Sequence, residues 1–436
     1  MKKSNYNYIF EVKDGKKLAF NSMSCALAEI DQDFSDVLEN IENIDIDTVN
    51  EQKKELIENM RQGNYIIDDA VDELKQIKFR HFKGKYENNS LSITIAPTLN
   101  CNFKCPYCYE TPDTHIMDEA VQQSIIDRVE KQLQTVKNVQ VTWYGGEPLL
   151  AKDIIWNVSE KIMNLCEQYG ANYYSFIVSN GYLIDDETIE NLIKYKITNI
   201  QVTIDGPKEI HDKRRIQKSG KGSFDKILYN VKKLKEKGFN INIRINIDKT
   251  NVARVEELLD ILKLNDLNGL SITLGQVTAY TQACSSVSGS CLNNEEYAVT
   301  SLDIQKILND KEFEVQDYPY YPGIKANYCC ADQINAFVID PWGDMYKCWN
   351  DIGLKEKSVG NITKELEEND DINQVMNQID WLTQNPFDEE DCVECDLLPI
   401  CMGGCPYNKK ENKKLSCEKW KYNMKEILAY TYQNSL

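Results

Sequence analysis

Fifteen cysteines in 436 residues, and above all the way they bunch, constrain this chain more than any other feature. Cys101, Cys105 and Cys108 form one knot, and Cys392, Cys395, Cys401 and Cys405 form a second. Met1–Asn7 lacks the apolar stretch of a secretion signal, so an extracellular disulfide scaffold is not expected. Clustered thiols kept reduced in the cytoplasm bind metal or do chemistry, and a cytoplasmic setting is the expectation here. Only three histidines occur (His81, His115 and His211), which leaves little room for a histidine-rich metal site or a conventional triad. Lys and Arg number 50 against 69 Asp and Glu, a net charge of −19 that argues against a nucleic-acid partner. No apolar run approaches the roughly 18 residues of a membrane-spanning helix, so no membrane partner is expected.

Three segments separate by pattern. In residues 1–85, Tyr6, Tyr8, Phe10 and Val12 alternate with other residues, then come Asp14-Gly15 and Leu18–Phe20. This predicts a hairpin turning at Asp14-Gly15, followed by helices over Asp47–Met60 and Asp68–Ile77: a small α+β module. Residues 90–285 carry six apolar runs, Leu91–Ala96, Val139–Trp143, Ser175–Val178, Ile200–Ile204, Ile241–Ile247 and Leu270–Leu274. Amphipathic segments lie between them, including Glu119–Leu133, Ile154–Tyr169, Phe224–Lys237 and Val255–Leu262. That alternation predicts an α/β fold, a partial (β/α)6 barrel with a doubly wound open sheet as the competing arrangement. Either one puts chemistry at the C-terminal strand ends. Residues 320–436 are irregular and hold eight of the fifteen cysteines. Glu365–Asp371, Asp388–Asp391 and Lys409–Lys414 read as solvated loops. Cys25 and Cys166 lie in apolar helical contexts and read as core. Cys284 and Cys291 flank a Ser/Gly-rich loop after the sixth run, at a site mouth or in an ordinary loop.

The first knot, Cys101-x3-Cys105-x2-Cys108, directly follows the first strand. Three thiolates on one loop can hold three irons of a [4Fe–4S] cube and leave the fourth open for a ligand. A zinc knuckle is the alternative, but no fourth ligand follows nearby. The spacing resembles the radical S-adenosylmethionine (SAM) superfamily, and the resemblance extends over nearly the whole chain. Gly145-Gly146-Glu147-Pro148 matches the family's motif after the second strand, where two glycines permit close backbone approach and a carboxylate complements an ammonium. The resemblance implies that Glu147 and the flanking backbone hold the amino group of SAM. It further implies that Ser179-Asn180, after the third strand, contact its ribose and carboxylate. Asp205-Gly206-Pro207, with His211-Asp212 and Arg215, matches a further signature, and Tyr107 is expected against the cluster or the adenine. In that family an electron from the cluster cleaves SAM to a 5′-deoxyadenosyl radical, which removes hydrogen from the substrate.

A second resemblance covers the C-terminal segment. Cys330, Gly343 and Cys348, then Cys392-x2-Cys395-x5-Cys401-x3-Cys405 and Cys417, resemble the SPASM extension of radical SAM peptide and protein maturases. This implies two auxiliary [4Fe–4S] clusters, three in all. Cys392, Cys395, Cys401 and Cys417 would bind the distal one, and Cys330, Cys348 and Cys405 the nearer one. A further cysteine of some relatives falls at Ile324 here. The nearer cluster therefore has an open iron able to take a substrate thiolate, or uses Cys329. The N-terminal module resembles the recognition element of peptide maturases, which binds a leader peptide along a strand edge, with a cap of the barrel as the alternative.

These resemblances imply a maturase that crosslinks a ribosomally made precursor peptide, by a thioether or a carbon–carbon bond, fed by a donor such as flavodoxin or ferredoxin. An anaerobic sulfatase maturase making formylglycine is an alternative. Relatives of that type carry an Asp near the cysteine matching Cys348, where this chain has Trp349 and, two residues on, Asp351. An iron–sulfur electron carrier or inactive peptide-binding scaffold is the third reading, against which the SAM motifs speak.

Overall fold

The computed structural model describes all residues except Asp14, 316–320, 365–370, 413–415 and 435–436. Asp14 of the expected turn, most of the Glu365–Asp371 run and the end of Lys409–Lys414 therefore lie outside the described residues. The chain forms two compact units. One contains Glu87–Asp317 and Cys330–Thr383; the other contains Met1–Tyr86, Tyr318–Cys329 and Gln384–Leu436.

The first unit is built on a mostly parallel sheet. Its strands are β1 (Ser90–Ile95), β2 (Asn138–Trp143), β3 (Asn172–Ser179), β4 (Asn199–Thr203), β5 (Asn240–Ile247), β6 (Ser271–Gln276), β7 (Glu314–Val315), β8 (Ala336–Ile339), β9 (Asp344–Tyr346) and β10 (Gly360–Asn361). They lie in the order β7-β6-β5-β4-β3-β2-β1-β8-β9-β10. The helices α1 (Glu119–Gln132), α2 (Lys152–Tyr169), α3 (Asp186–Lys194), α4 (Lys208–Arg214), α5 (Phe224–Glu236) and α6 (Val255–Leu264) connect β1 to β6. This is the α/β architecture of a partial barrel, with all six expected strands in place.

Alternation along β5 explains its two faces. Ile241, Ile243, Ile245 and Ile247 are buried, while Asn242, Arg244 and Asn246 occupy the opposite face. Asn242 donates there to Thr273 Oγ1 at 2.8 Å, so that face is polar and cross-braced. Helix starts follow the same local logic: Asp118 and Asp185 accept the N–H groups of Val121 and Thr188, capping α1 and α3. The sequence reading stopped at six strands. It missed β8, which adds parallel to β1 with Phe337 opposite Ile93, and the β8–β9 hairpin.

In the second unit, Asn7–Glu11, Lys17–Asn21 and Ala26–Ile30 form a three-stranded antiparallel sheet. The first two strands are the expected hairpin; the third was not read. Helices Gln32–Asn40, Glu51–Gln62 and Glu73–Tyr86 follow, the first two capped by Asp31 and Asn50. Cys25 corrects an expectation. It sits in a turn with φ +58°, half-buried rather than in a helix core, because the chain must reverse between two strands there. Cys166 is buried in α2 as expected. Among the described residues no helix is long and apolar enough to cross a membrane.

Candidate active site

The cysteine loop leaves the C-terminal end of β1 and is held from several sides. Lys104 N–H donates to Ile216 O at 2.8 Å and Lys218 N–H to Asn102 O at 2.9 Å, lacing the loop to the segment after α4. Phe103 is buried, edge-on to Tyr182 at 5.9 Å. Its own N–H donates to the Cys101 sulfur at 3.3 Å. The two glycines after β2 explain how the neighbouring strand end fits. A Cβ on Gly145, which has φ +112°, would lie 2.4 Å from Thr98 O, and one on Gly146 would lie 2.3 Å from Asn100 O. Their lack of side chains lets β2 touch the backbone that opens the cysteine loop. Glu147 N–H then donates to Asn100 O at 2.8 Å.

Glu147, Ser179, Asn180 and the cysteine loop converge. The Glu147 carboxylate is fully buried, taking Ser179 Oγ–H at 2.8 Å and Leu149 N–H at 3.2 Å on one oxygen, and Asn180 N–H at 2.7 Å on the other. Oε2 retains acceptor capacity for a further donor. Asn180 reaches back with Nδ2 to Asn102 Oδ1 at 2.7 Å and lies 3.9 Å from the Cys101 sulfur. Burial raises the Glu147 pKa, and these donors pull it back.

Asp205 performs a different task. It is fully buried, and its carboxylate accepts the Tyr107 hydroxyl and, at 2.9 Å, Asn246 N–H. Arg215 donates to the same Tyr107 hydroxyl at 2.9 Å, so Tyr107 is clamped between a carboxylate and a guanidinium. His211 accepts Asp205 N–H on Nδ1 at 3.3 Å. Burial, then Arg215 and Arg214, push its pKa well down, so it acts as a neutral brace. Asp212 accepts Ser223 and Phe224 N–H at 2.7 and 2.9 Å, fastening the start of α5. Arg214 is held by Asp248 and Thr250, both at 2.7 Å.

The donor set fits an iron–sulfur cluster. Burial pushes the Cys101 thiol up to about 12, with the Glu147 charge adding to it. Burial also raises Cys105, with Arg215 pulling it back, and raises Cys108, with Glu110 adding to it. Three desolvated thiols on one loop, one already accepting an N–H, suit a cationic metal core that displaces their protons.

Residues that sequence reasoning passed over complete the site. Glu110, two places after Cys108, is buried, and burial pushes its pKa to about 8 against a hydrogen bond from Tyr144. Its Oε2 has no partner among the described residues. The Tyr109 and Tyr144 hydroxyls bond to one another, and Trp349 packs on Tyr144 with ring centroids 4.4 Å apart. Thr281 Oγ1–H donates to Tyr109 O at 2.8 Å, which ties the Cys284–Cys291 loop to the cysteine loop. The adjacency of Tyr109-Glu110 to the third cysteine was the available signal.

The other cysteines divide between the units. Cys330, after the chain re-enters the barrel unit, and Cys348, past β9, belong to that unit; Cys329, Cys392, Cys395, Cys401, Cys405 and Cys417 belong to the other. In the latter, Cys395 N–H donates to Cys392 O at 3.2 Å, and Gly404 bridges Ser416. Burial raises the Cys392 and Cys401 thiols to about 11, and the Cys417 charge adds to both.

Residues 95–264 match the family model of the radical SAM superfamily. The chain is 25% identical over 382 residues to a cysteine-type anaerobic sulfatase-maturating enzyme of Clostridium novyi, covering 79% of this chain and 97% of the relative. It is 24% identical over 368 residues to a serine-type counterpart from Bacteroides thetaiotaomicron, covering 73% and 83%. Among solved structures, native anSMEcpe with bound AdoMet matches with a TM-score of 0.61 at 22% identity, over 79% of this chain and 98% of that one. Streptococcus suis SuiB bound to precursor peptide SuiA matches with a TM-score of 0.56 at 18% identity, over 95% and 97%. These two structures share the fold of this chain. With the three cysteines, the two glycines and Glu147 gathered at the strand ends inside the matched span, the chain is an enzyme that carries a radical SAM domain over residues 95–264.

Proposed function

We propose that the protein matures a ribosomally made precursor peptide by installing a crosslink, a thioether in preference to a carbon–carbon bond. The observation that carries this reading is coverage. The likeness to SuiB, solved with a precursor peptide, spans 95% of this chain, and that to anSMEcpe spans 79%. The difference is about the length of the N-terminal strand–helix module. An outer strand of its three-stranded sheet supports leader binding by main-chain pairing.

In this reading Cys101, Cys105 and Cys108 hold the [4Fe–4S] cluster, steadied by Phe103 N–H and Asn180. Glu147 Oε2 receives the amino group of SAM beside Gly145 and Gly146. Ser179 and Asn180 orient its ribose and carboxylate, and Tyr107, fixed by Asp205 and Arg215, walls the nucleotide. When bound and reduced, the pair supplies a carbon radical that takes one hydrogen atom from the substrate. Glu110 and Tyr144 offer the peptide an acceptor and a hydroxyl in a dry setting. Cys392, Cys395, Cys401 and Cys417 hold a distal cluster, and Cys330 and Cys348 ligate the nearer one. A low-potential carrier of the flavodoxin or ferredoxin class supplies electrons in the cytoplasm.

Formylglycine formation is a second reading with equal standing, favoured by the 25% and 24% identities to sulfatase-maturating enzymes. Asp351 supports it: buried, it lies three residues past Cys348, whose carbonyl accepts its N–H at 3.2 Å. Anaerobic incubation with cysteine-containing peptides encoded beside the gene, plus SAM and dithionite, decides between the two. A crosslink removes a pair of hydrogens and leaves no reactive carbonyl, whereas formylglycine labels with an aldehyde probe. Labelling of the product, or no 5′-deoxyadenosine release above background with any such peptide, rejects the crosslinking reading.

A further inference from the structure

Lys347 is a cation in an unexpected place. It is 2% exposed and among the largest fully buried side chains. Its Nζ donates to the main-chain carbonyl of Gln333 and, at 2.7 Å, to that of Ala336, and it stands 4.8 Å from the Phe337 ring centroid. Both carbonyls belong to the stretch that runs from Cys330 into β8. Gln333 N–H donates to Cys330 O at 2.9 Å, so the ammonium is two hydrogen bonds from the Cys330 backbone. On the other side Lys347 is bonded in sequence to Cys348. The β8–β9 register pairs Val338 with Tyr346, the residue just before Lys347. The ammonium is thus lodged between the two cysteine-bearing segments, held by carbonyl dipoles and an aromatic face.

We propose that Lys347 sets the reduction potential of the iron–sulfur cluster held at Cys330 and Cys348, raising it by its buried positive charge. This rests on the reading of those two cysteines as cluster ligands. One-electron reduction makes a cluster one unit more negative, and a fixed cation in a poorly screened interior favours the more negative state. Phe337 and the two carbonyls hold the ammonium where water would otherwise screen it. A raised potential fits a cluster that accepts an electron from the substrate after hydrogen removal.

The test is a dithionite titration of the anaerobically purified, reconstituted full-length protein, followed by electron paramagnetic resonance. The wave lost in Cys330→Ala and Cys348→Ala variants identifies this cluster. Lys347→Met and Lys347→Gln should shift that wave negative by at least tenfold in the reduction equilibrium, about 59 mV for one electron, and Lys347→Arg should leave it in place. An unmoved wave in the charge-free variants, with iron content retained, overturns the proposal. So does loss of the cluster from both charge-free variants with circular dichroism unchanged, which would make the lysine structural. If the Cys330 and Cys348 variants keep every wave and all their iron, the ligand reading itself fails, separately from the role of Lys347.

Discussion

A methyl group on Gly146 would sit 2.3 Å from the carbonyl oxygen of Asn100 and 2.5 Å from that of Leu99. Both obstacles are main chain, so nothing can swing aside. Gly146→Ala should therefore push the end of β2 away from the cysteine loop, destabilise the fold by about 1–3 kcal/mol, and lower the iron retained at residues 101–108 after reconstitution. Iron and sulfide analysis beside thermal denaturation checks this, and wild-type iron content in the variant would contradict it. The Gly-Gly-Glu-Pro motif was legible in the sequence because it recurs in a known order. Its physical reason was not. The glycines admit the chain's own cysteine loop, a contact across more than forty residues that no local pattern encodes. Asp205 behaves similarly, since its carboxylate is taken up by Tyr107 and the Asn246 N–H. Glu110 stood alone in the sequence and became visible only once burial left one of its oxygens unpartnered.

Elements were legible in proportion to their periodicity. The alternation in β5 and the apolar stripes of α2 and α5 reach across several turns or residue pairs, so β1 to β6 and the helices α1, α2, α5 and α6 fell close to their expected bounds, while α3 and α4 were given none. The four-residue β8 and three-residue β9 are too short to carry a period, and β8 exists by pairing with β1, over two hundred residues earlier in the chain. Helix ends are local and testable. Asp185 caps α3, accepting Thr188 N–H at 2.8 Å with Lys152 at 3.4 Å. Its pKa is lowered from 3.8 to about 2, mainly by the Thr188 hydroxyl, against the cost of partial desolvation, with Thr188 N–H and Lys152 adding to the lowering. A lowered carboxylate pKa contributes stability that is complete above the ordinary value of 3.8 and lost as pH falls through about 2. Asp185 is 61% exposed, so solvent screening trims the effect. Asp185→Ala should cost about 1 kcal/mol at neutral pH, and urea denaturation should show that gap narrowing below pH ~4.

Across the whole molecule, the N-terminal segment divides its allegiance. Ala19, Ile30, Phe34, Val37, Ile57, Met60 and Ile66 form a core entirely within residues 1–67. Tyr6, Met23 and Ile77 instead pack with Leu398 and Met402 from the far end of the chain. Helix Glu73–Tyr86 is pinned there as well: Lys85 donates to the carbonyl of Gln384, and His81 Nδ1 lies 3.1 Å from that of Ala326. A fragment of residues 1–86 should therefore protect the amides of its sheet and first two helices in hydrogen exchange, while those of 73–86 exchange freely. Equal protection of that helix in fragment and full chain would refute the shared core. Leader-peptide binding is accordingly best measured on the full chain. By itself, the sequence determined the alternation of six strands with helices, from apolar periodicity, and the cysteine and glycine motifs, because spacing along one loop is local. Tertiary structure alone decided that the chain's two ends build one unit, that two glycines make room for a neighbouring loop, and that a lysine is buried between two cysteine segments. Each of those depends on contacts between residues distant in sequence, whose partners no window of residues contains.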